Sequence, residues 1–190
     1  MVNKITLYSI LGLFCNDYSK SYYLREIADF LNKPHQTVRP YINNLMKIGV
    51  LIEDRKKNVV FYKLNLDNEL TFSYLLISEK EALFESINKS LLIKILYEKL
   101  SPFFEKNIFI IFGSASYEIK KGSDLDLLIV GKSKLDEVIK EFEQIYNKKI
   151  HLVQVGDFNK ITNTLVNEIY KKHIILNNTE KVVTLFRNLK

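Results

Sequence analysis

Residues 108–130 read IFIIFGSASYEIKKGSDLDLLIV, and this stretch decides both the fold class and the chemistry to look for. An apolar run, Ile108 to Phe112, ends at Gly113-Ser114. A spacer follows, then Asp124-Leu125-Asp126, which opens a second apolar run, Leu127 to Val130. Residues two apart on a strand point to the same face, so the spacing predicts two carboxylates projecting side by side from the end of a buried sheet. Paired hard oxygen anions are what a magnesium ion needs when it also carries substrate phosphates. Gly113 permits a tight turn after the first strand, and the backbone N–H groups and Ser114 hydroxyl that follow can face an anion. A phosphate cradle beside a metal-binding pair points to nucleotide chemistry. The alternative is an ordinary strand–loop–strand in which Gly and Asp serve only the turn.

The strand, the Gly-Ser corner, the spacer length and the Asp-x-Asp together resemble the nucleotidyltransferase superfamily related to DNA polymerase β, especially its minimal members. The resemblance implies that Gly113, Ser114 and Ser123 contact the triphosphate of an NTP. It also implies that Asp124 and Asp126 are catalytic and bind Mg2+ or Mn2+. Active members add a third carboxylate from a later strand, in a context that Ile150-His151-Leu152-Val153 matches here, and His151 stands in its place. An imidazole titrates near neutrality and can act as a base, but it is a poor magnesium ligand. Asp157 is near and reads more naturally as a helix N-cap. Lys120 and Lys121 can touch phosphates or simply form an exposed basic loop.

The whole chain has 190 residues, enough for one medium domain or two small ones, and 47% are hydrophobic, so a sizeable core is available. No apolar run reaches the ~20 residues that span a bilayer, and no secretory signal pattern opens the chain, so a cytoplasmic protein without membrane contact is expected. The lone cysteine, Cys15, excludes an internal disulfide and a cysteine-based zinc site, and its apolar setting makes it a core residue. A formal charge of +6 is compatible with nucleic acid. No internal repeat or low-complexity tract is present.

Towards the N-terminus, 3–15 carry an apolar helical stripe (Ile5, Tyr8, Leu11, Leu13, Phe14), and Leu24 to Leu31 predict a second helix with Ile27, Ala28 and Leu31 inward. Pro34 suits the first turn of a third helix bearing Val38, Tyr41, Ile42 and Leu45. Pro40 should kink or delay that helix unless it lies in the first turn. A strand Val50 to Ile52, a charged loop Glu53 to Asn58 and a strand Val59 to Leu64 complete the region. Three helices followed by a hairpin with a basic tip resemble the winged helix-turn-helix of archaeal and bacterial transcription regulators. The resemblance implies that His35, Gln36, Thr37 and Arg39 read base edges of double-stranded DNA, while Arg55, Lys56 and Lys57 meet phosphates. The alternative is that these are solvated polar residues on a winged helix that docks a protein.

Leu66 to Leu76 is apolar without clear period. The capping-box pattern Ser78-Glu79-Lys80-Glu81 predicts the start of a long helix to about Leu100, a candidate homodimer seam or a bridge between domains. Ser133 is expected to cap a helix with Leu135, Val138, Ile139, Phe142 and Ile145 inward. Lys149 to Val155 reads as a strand, Asp157 to Tyr170 as a helix with Ile161, Leu165 and Ile169 inward, Ile174 to Leu176 as a short strand, and the chain closes on an amphipathic helix with Val182, Val183, Leu185 and Phe186.

The expected architecture is therefore α+β: a winged helix-turn-helix at 1–67, a connecting helix at 68–104 and a nucleotidyltransferase-like domain at 105–190. This arrangement resembles prokaryotic fusions of a regulator with a nucleotidyltransferase domain. Three functions follow from it. One is Mg-dependent transfer of an NMP from an NTP to a hydroxyl on protein or nucleic acid. Another is a DNA-binding regulator that binds a nucleotide without turnover. The third is an antitoxin-like module acting on a partner toxin.

Overall fold

The computed structural model describes residues 5–116 and 123–188, apart from the side chains of Asn16 and Lys56. The chain divides into two units, Met1–Glu81 with Val183–Lys190, and Ala82–Val182. Helices and sheets occur in both units, giving an α+β protein. No helix among the described residues is long and apolar enough to cross a membrane.

In the first unit, helix α1 (Leu7–Leu11) opens on a reciprocal cap: the Thr6 hydroxyl accepts from the Ser9 N–H at 3.0 Å, and Ser9 Oγ accepts from the Thr6 N–H at 2.9 Å. A single 3-10 turn, Phe14–Asn16, leads to strand β1 (Tyr22–Tyr23) and helix α2 (Leu24–Phe30). Strand β1 has no counterpart in the sequence reading, because two residues are too few to show a period. Helix α3 (His35–Lys47) buries Val38, Ile42 and Leu45. Pro40 lies inside α3 without interrupting it. Its ring faces solvent, so the Gln36 carbonyl it leaves unbonded sits on the exposed side.

Strands β2 (Leu51–Lys56) and β3 (Val59–Leu64) pair antiparallel from Leu51↔Leu64 to Lys56↔Val59, and the sheet order is β1-β3-β2. The expected charged loop from Glu53 is therefore mostly strand, with Lys57-Asn58 alone forming the turn and Lys57 at φ 55°. A two-residue turn needs such a left-handed backbone to match the twist of the strands.

Helix α4 (Glu69–Lys89) starts earlier than the capping-box pattern suggests. Its start is set by Asn68, whose Oδ1 accepts from the Leu70 N–H at 2.9 Å while Nδ2 donates to the Gly49 carbonyl at 2.9 Å. Ser78 lies buried inside the helix, its hydroxyl donating to the Tyr74 carbonyl at 2.9 Å. A serine can bond back into a helix as readily as cap one, which is why the four-residue pattern misplaced the start. The expected single helix to Leu100 is also broken: Ser90 caps α5 (Leu91–Leu100), accepting from the Ile93 N–H.

The second unit is built on strand β4 (Ile108–Phe112), buried at all five positions as a strand covered on both faces should be. The 3-10 turn Gly113–Ser116 ends it. Strand β5 (Leu125–Val130) pairs antiparallel with β4. Helix α6 (Asp136–Tyr146) is the crossover to β6 (Ile150–Val155), which lies parallel to β5. Helix α7 (Asn163–Lys171) leads to β7 (His173–Ile175), antiparallel to β4, and α8 (Thr179–Arg187) follows. The strand order is β6-β5-β4-β7. Leu96, Phe109, Ile111, Leu127 and Phe142 form the centre of the core.

Three local expectations change here. Leu135, not Ser133, precedes α6, because Ser133 is held by Asn107: Nδ2 donates to Ser133 Oγ at 2.8 Å and Oδ1 accepts from the Ser133 N–H at 3.2 Å. Ile145 is 57% exposed instead of inward. The helix expected from Asp157 is a 3-10 turn, Phe158–Lys160, followed by α7, which Thr162 caps separately. Asp157 does act as a cap, accepting from the Asn159 N–H at 2.9 Å.

Candidate functional site

The corner after β4 rests directly on the second strand's carboxylate. Gly113 has φ 68°, and a Cβ there would come within 2.5 Å of Asp126 Oδ2. Both the backbone conformation and the close approach require glycine. Asp126 sits opposite Phe112 across the β4–β5 ladder, so strand pairing fixes this approach. On its other side, Asp126 is in register with His151 of β6, and His151 Nδ1 lies 3.0 Å from Asp126 Oδ1. One carboxylate oxygen thus faces the Gly113 corner and the other faces the imidazole. The Asp126 side chain is 27% exposed and that of His151 65%, so the group is open to solvent.

Asp124 immediately precedes β5 and is exposed, two residues from Asp126 and separated from it by the buried Leu125. Ser114 is exposed at the turn, whose tightness is reinforced by the Ser116 hydroxyl donating to the Gly113 carbonyl at 2.8 Å. Ser123 is differently placed from the other nucleotide-site candidates. Buried Lys148 donates to its carbonyl and, at 3.2 Å, to its hydroxyl. Lys148 anchors the approach to Asp124, and nothing in the sequence marks it apart from its neighbour Lys149. Lys120 and Lys121 lie outside the described residues.

A cleft of about 410 Å³ opens at this end of the sheet, lined by Phe112, Gly113, Asp126, His151, Glu168, Lys171 and Lys172. Glu168, Lys171 and Lys172 were missed by sequence reasoning. Their spacing is visible, but a charged i, i+3, i+4 set is also the usual solvated face of a helix. Among the described residues no group of three or more His, Cys, Asp or Glu side chains is arranged to hold a metal ion. The donor chemistry of Asp124 and Asp126 fits one hard cation that completes its shell with phosphate oxygens and water. Among the described residues, the neighbouring strand β6 places the His151 imidazole, not a third carboxylate, beside Asp126.

The candidate DNA-reading residues all lie in the first unit. His35, Gln36, Thr37 and Arg39 are exposed in the opening turns of α3. Lys57 is exposed at the hairpin turn, and Arg55 is exposed with Nη2 3.1 Å from Glu53 Oε2. Lys56 ends β2, and its side chain lies outside the described set. The third histidine, His173, is buried with Nδ1 2.7 Å from the Ile169 carbonyl, a structural role.

No family model and no curated protein matches the chain. Among solved structures, a chain in the crystal structure of a mutant of the toxin-antitoxin MntA-HpeT is similar over 51% of this chain and 81% of its own length, at 18% identity and a TM-score of 0.40. A likeness at that TM-score carries no argument about this chain.

Proposed function

We propose that the second unit is a nucleotidyltransferase-type site that binds an NTP with one magnesium or manganese ion and transfers the NMP to a hydroxyl on protein or nucleic acid. The observation that carries this reading is the packing of the Gly113 corner against Asp126, which brings a phosphate-sized turn and a carboxylate to the same end of the sheet. The bound ion would neutralise phosphate charge. Asp124 and Asp126 would hold it, the Ser114 hydroxyl and the turn's N–H groups would orient the phosphates, and the cleft would receive the acceptor. In the transfer, the acceptor oxygen bonds to the α-phosphorus, the bond to the β-phosphate bridging oxygen breaks, and pyrophosphate leaves while the hydroxyl proton passes to a base. With radiolabelled ATP, GTP, CTP and UTP, each with Mg2+ or Mn2+, at least one is expected to label an acceptor, and Asp124→Asn to abolish the label.

The contact between His151 and Asp126 favours a second reading, a regulator that binds nucleotide without turning it over. An imidazole on Asp126 occupies one of its oxygens and supplies no third acid. Nucleotide binding with no labelling under any condition decides for this reading against transfer.

We further propose that the first unit is a DNA-binding winged helix-turn-helix, with α3 entering the major groove and the β2–β3 hairpin as wing. The exposure of the α3 opening turns and of Lys57 supports it. Binding to duplex DNA is expected to weaken with salt, and Lys57→Ala to lower affinity while reducing the magnitude of the log–log salt slope by about 1. Affinity and slope unchanged in Lys57→Ala, measured by fluorescence anisotropy across a salt series, refute the wing assignment.

A further inference from the structure

Among the described residues each sheet has two outer strands, and three of those four are poor templates for a further strand. Strand β1 has two residues and β7 three. Strand β2 is longer, but its last four positions, Glu53 to Lys56, are all charged. Short length and charge are the usual ways in which a sheet edge is blunted. Strand β6 has neither. It runs for six residues, IHLVQV, without a Lys, Arg, Asp, Glu or Pro. Its register with β5 is continuous from Leu125↔Ile150 to Val130↔Val155, so no bulge turns it aside.

The ladder fixes which groups this edge presents. The Lys149 carbonyl accepts from the Leu125 N–H at 2.9 Å, and the Val155 carbonyl from the Gly131 N–H at 2.8 Å. Main-chain groups of the odd-numbered residues therefore face β5, and those of Ile150, Leu152 and Gln154 face outward. The Ile150 N–H is taken by Glu143 Oε1 at 2.7 Å. Among the described residues nothing bonds the N–H groups of Leu152 and Gln154 or the carbonyls of Ile150, Leu152 and Gln154. Unpaired main-chain groups in a row are what an added strand binds.

We propose that β6 pairs antiparallel with β6 of a second copy of this chain, joining two four-stranded sheets into one. A two-fold axis through Leu152 makes the outward groups self-complementary. The Leu152 N–H of each copy donates to the Leu152 carbonyl of the other, and the Gln154 N–H donates to the Ile150 carbonyl of the other. Charge selects a second copy in this direction. Lys149 immediately precedes β6 and Asp157 lies two residues beyond it; both are exposed, and neither is in an ion pair among the described residues. Antiparallel pairing brings Lys149 of each copy to the Asp157 end of the other, whereas parallel pairing sets like charges side by side. The inference is independent of what the cleft binds.

The test is sedimentation velocity of the full chain over a concentration series, in which a reversible dimer is expected. Gln154→Pro removes an outward N–H and leaves the β5 ladder intact, and is expected to weaken dimerisation by about tenfold or more. Gln154→Ala loses the side-chain bonds to the Gly131 and Ser133 carbonyls but keeps the N–H, and should dimerise as wild type does. Lys149→Glu should weaken the dimer, and Lys149→Glu/Asp157→Lys should restore it, which requires the two ends to meet across the axis. A wild type that stays monomeric at every concentration overturns the proposal and leaves the edge to water or to a strand of another protein. A folded Gln154→Pro that dimerises as wild type does overturns it in favour of another surface. A double charge variant as weak as Lys149→Glu alone overturns the antiparallel pairing, whether or not Gln154→Pro folds.

Discussion

Asp126 and Glu79 are two carboxylates in contrasting surroundings. Asp126 stands at an open sheet end, touched by His151 and bordering a cleft. Glu79, in the first unit, is 2% exposed and accepts from the Tyr18 hydroxyl at 2.6 Å, itself a buried side chain. Cys15 lies beside it, and burial, together with the charge and hydrogen bond of Glu79 and the charge of Glu81, pushes that thiol well above its ordinary range. A carboxylate withdrawn from water must keep its protein partners, so Glu79 is committed to the fold. One left at a wet edge can exchange water for a ligand at little cost. The same functional group is thus a structural element in one unit and a candidate site in the other, and solvent access decides which.

Two substitutions sharpen or break this contrast. The larger effect is expected for Gly113→Ala, where a left-handed backbone and a Cβ approach of 2.5 Å to Asp126 Oδ2 act together. The variant should lose about 2–4 kcal/mol of stability in urea unfolding, along with nucleotide binding. Tyr18→Phe should lose about 1.5–3 kcal/mol by leaving a buried carboxylate short of a charge-assisted bond, with nucleotide affinity unchanged. If Tyr18→Phe weakens nucleotide binding, or Gly113→Ala leaves it intact, the division between a structural and a functional carboxylate fails.

The parts legible in the sequence were those where one physical signal dominates. Continuous apolar runs fixed β4 and β5, and Gly113 between a strand and a polar spacer marked the corner. Legibility failed where two local options are nearly equal in energy. Ser78 could cap a helix or bond back within one, and only Asn68, tied to Gly49 far earlier in the chain, decides that α4 starts sooner. Ser133 had a cap's position, but Asn107 captures it from another segment. The candidate site divides in the same way. The Gly-Ser and Asp-x-Asp elements carry their chemistry in their spacing, whereas Lys148 on Ser123 and the place of Glu168, Lys171 and Lys172 in the cleft lining arise from tertiary proximity alone. Charged residues on a short helix such as α7 look alike in sequence whether they face bulk water or a cavity.

The meeting of Asp126 and His151 depends on strands β5 and β6 running side by side from Leu125↔Ile150 to Val130↔Val155. Sliding one strand by a single residue would bring Ile150 or Leu152 opposite Asp126 and turn core side chains toward water. The greasy alternation on either side of position 151 therefore works as a ruler. It delivers that side chain to the acid through the folding of the sheet itself, so whatever residue occupies 151 is presented to Asp126 before any ligand arrives.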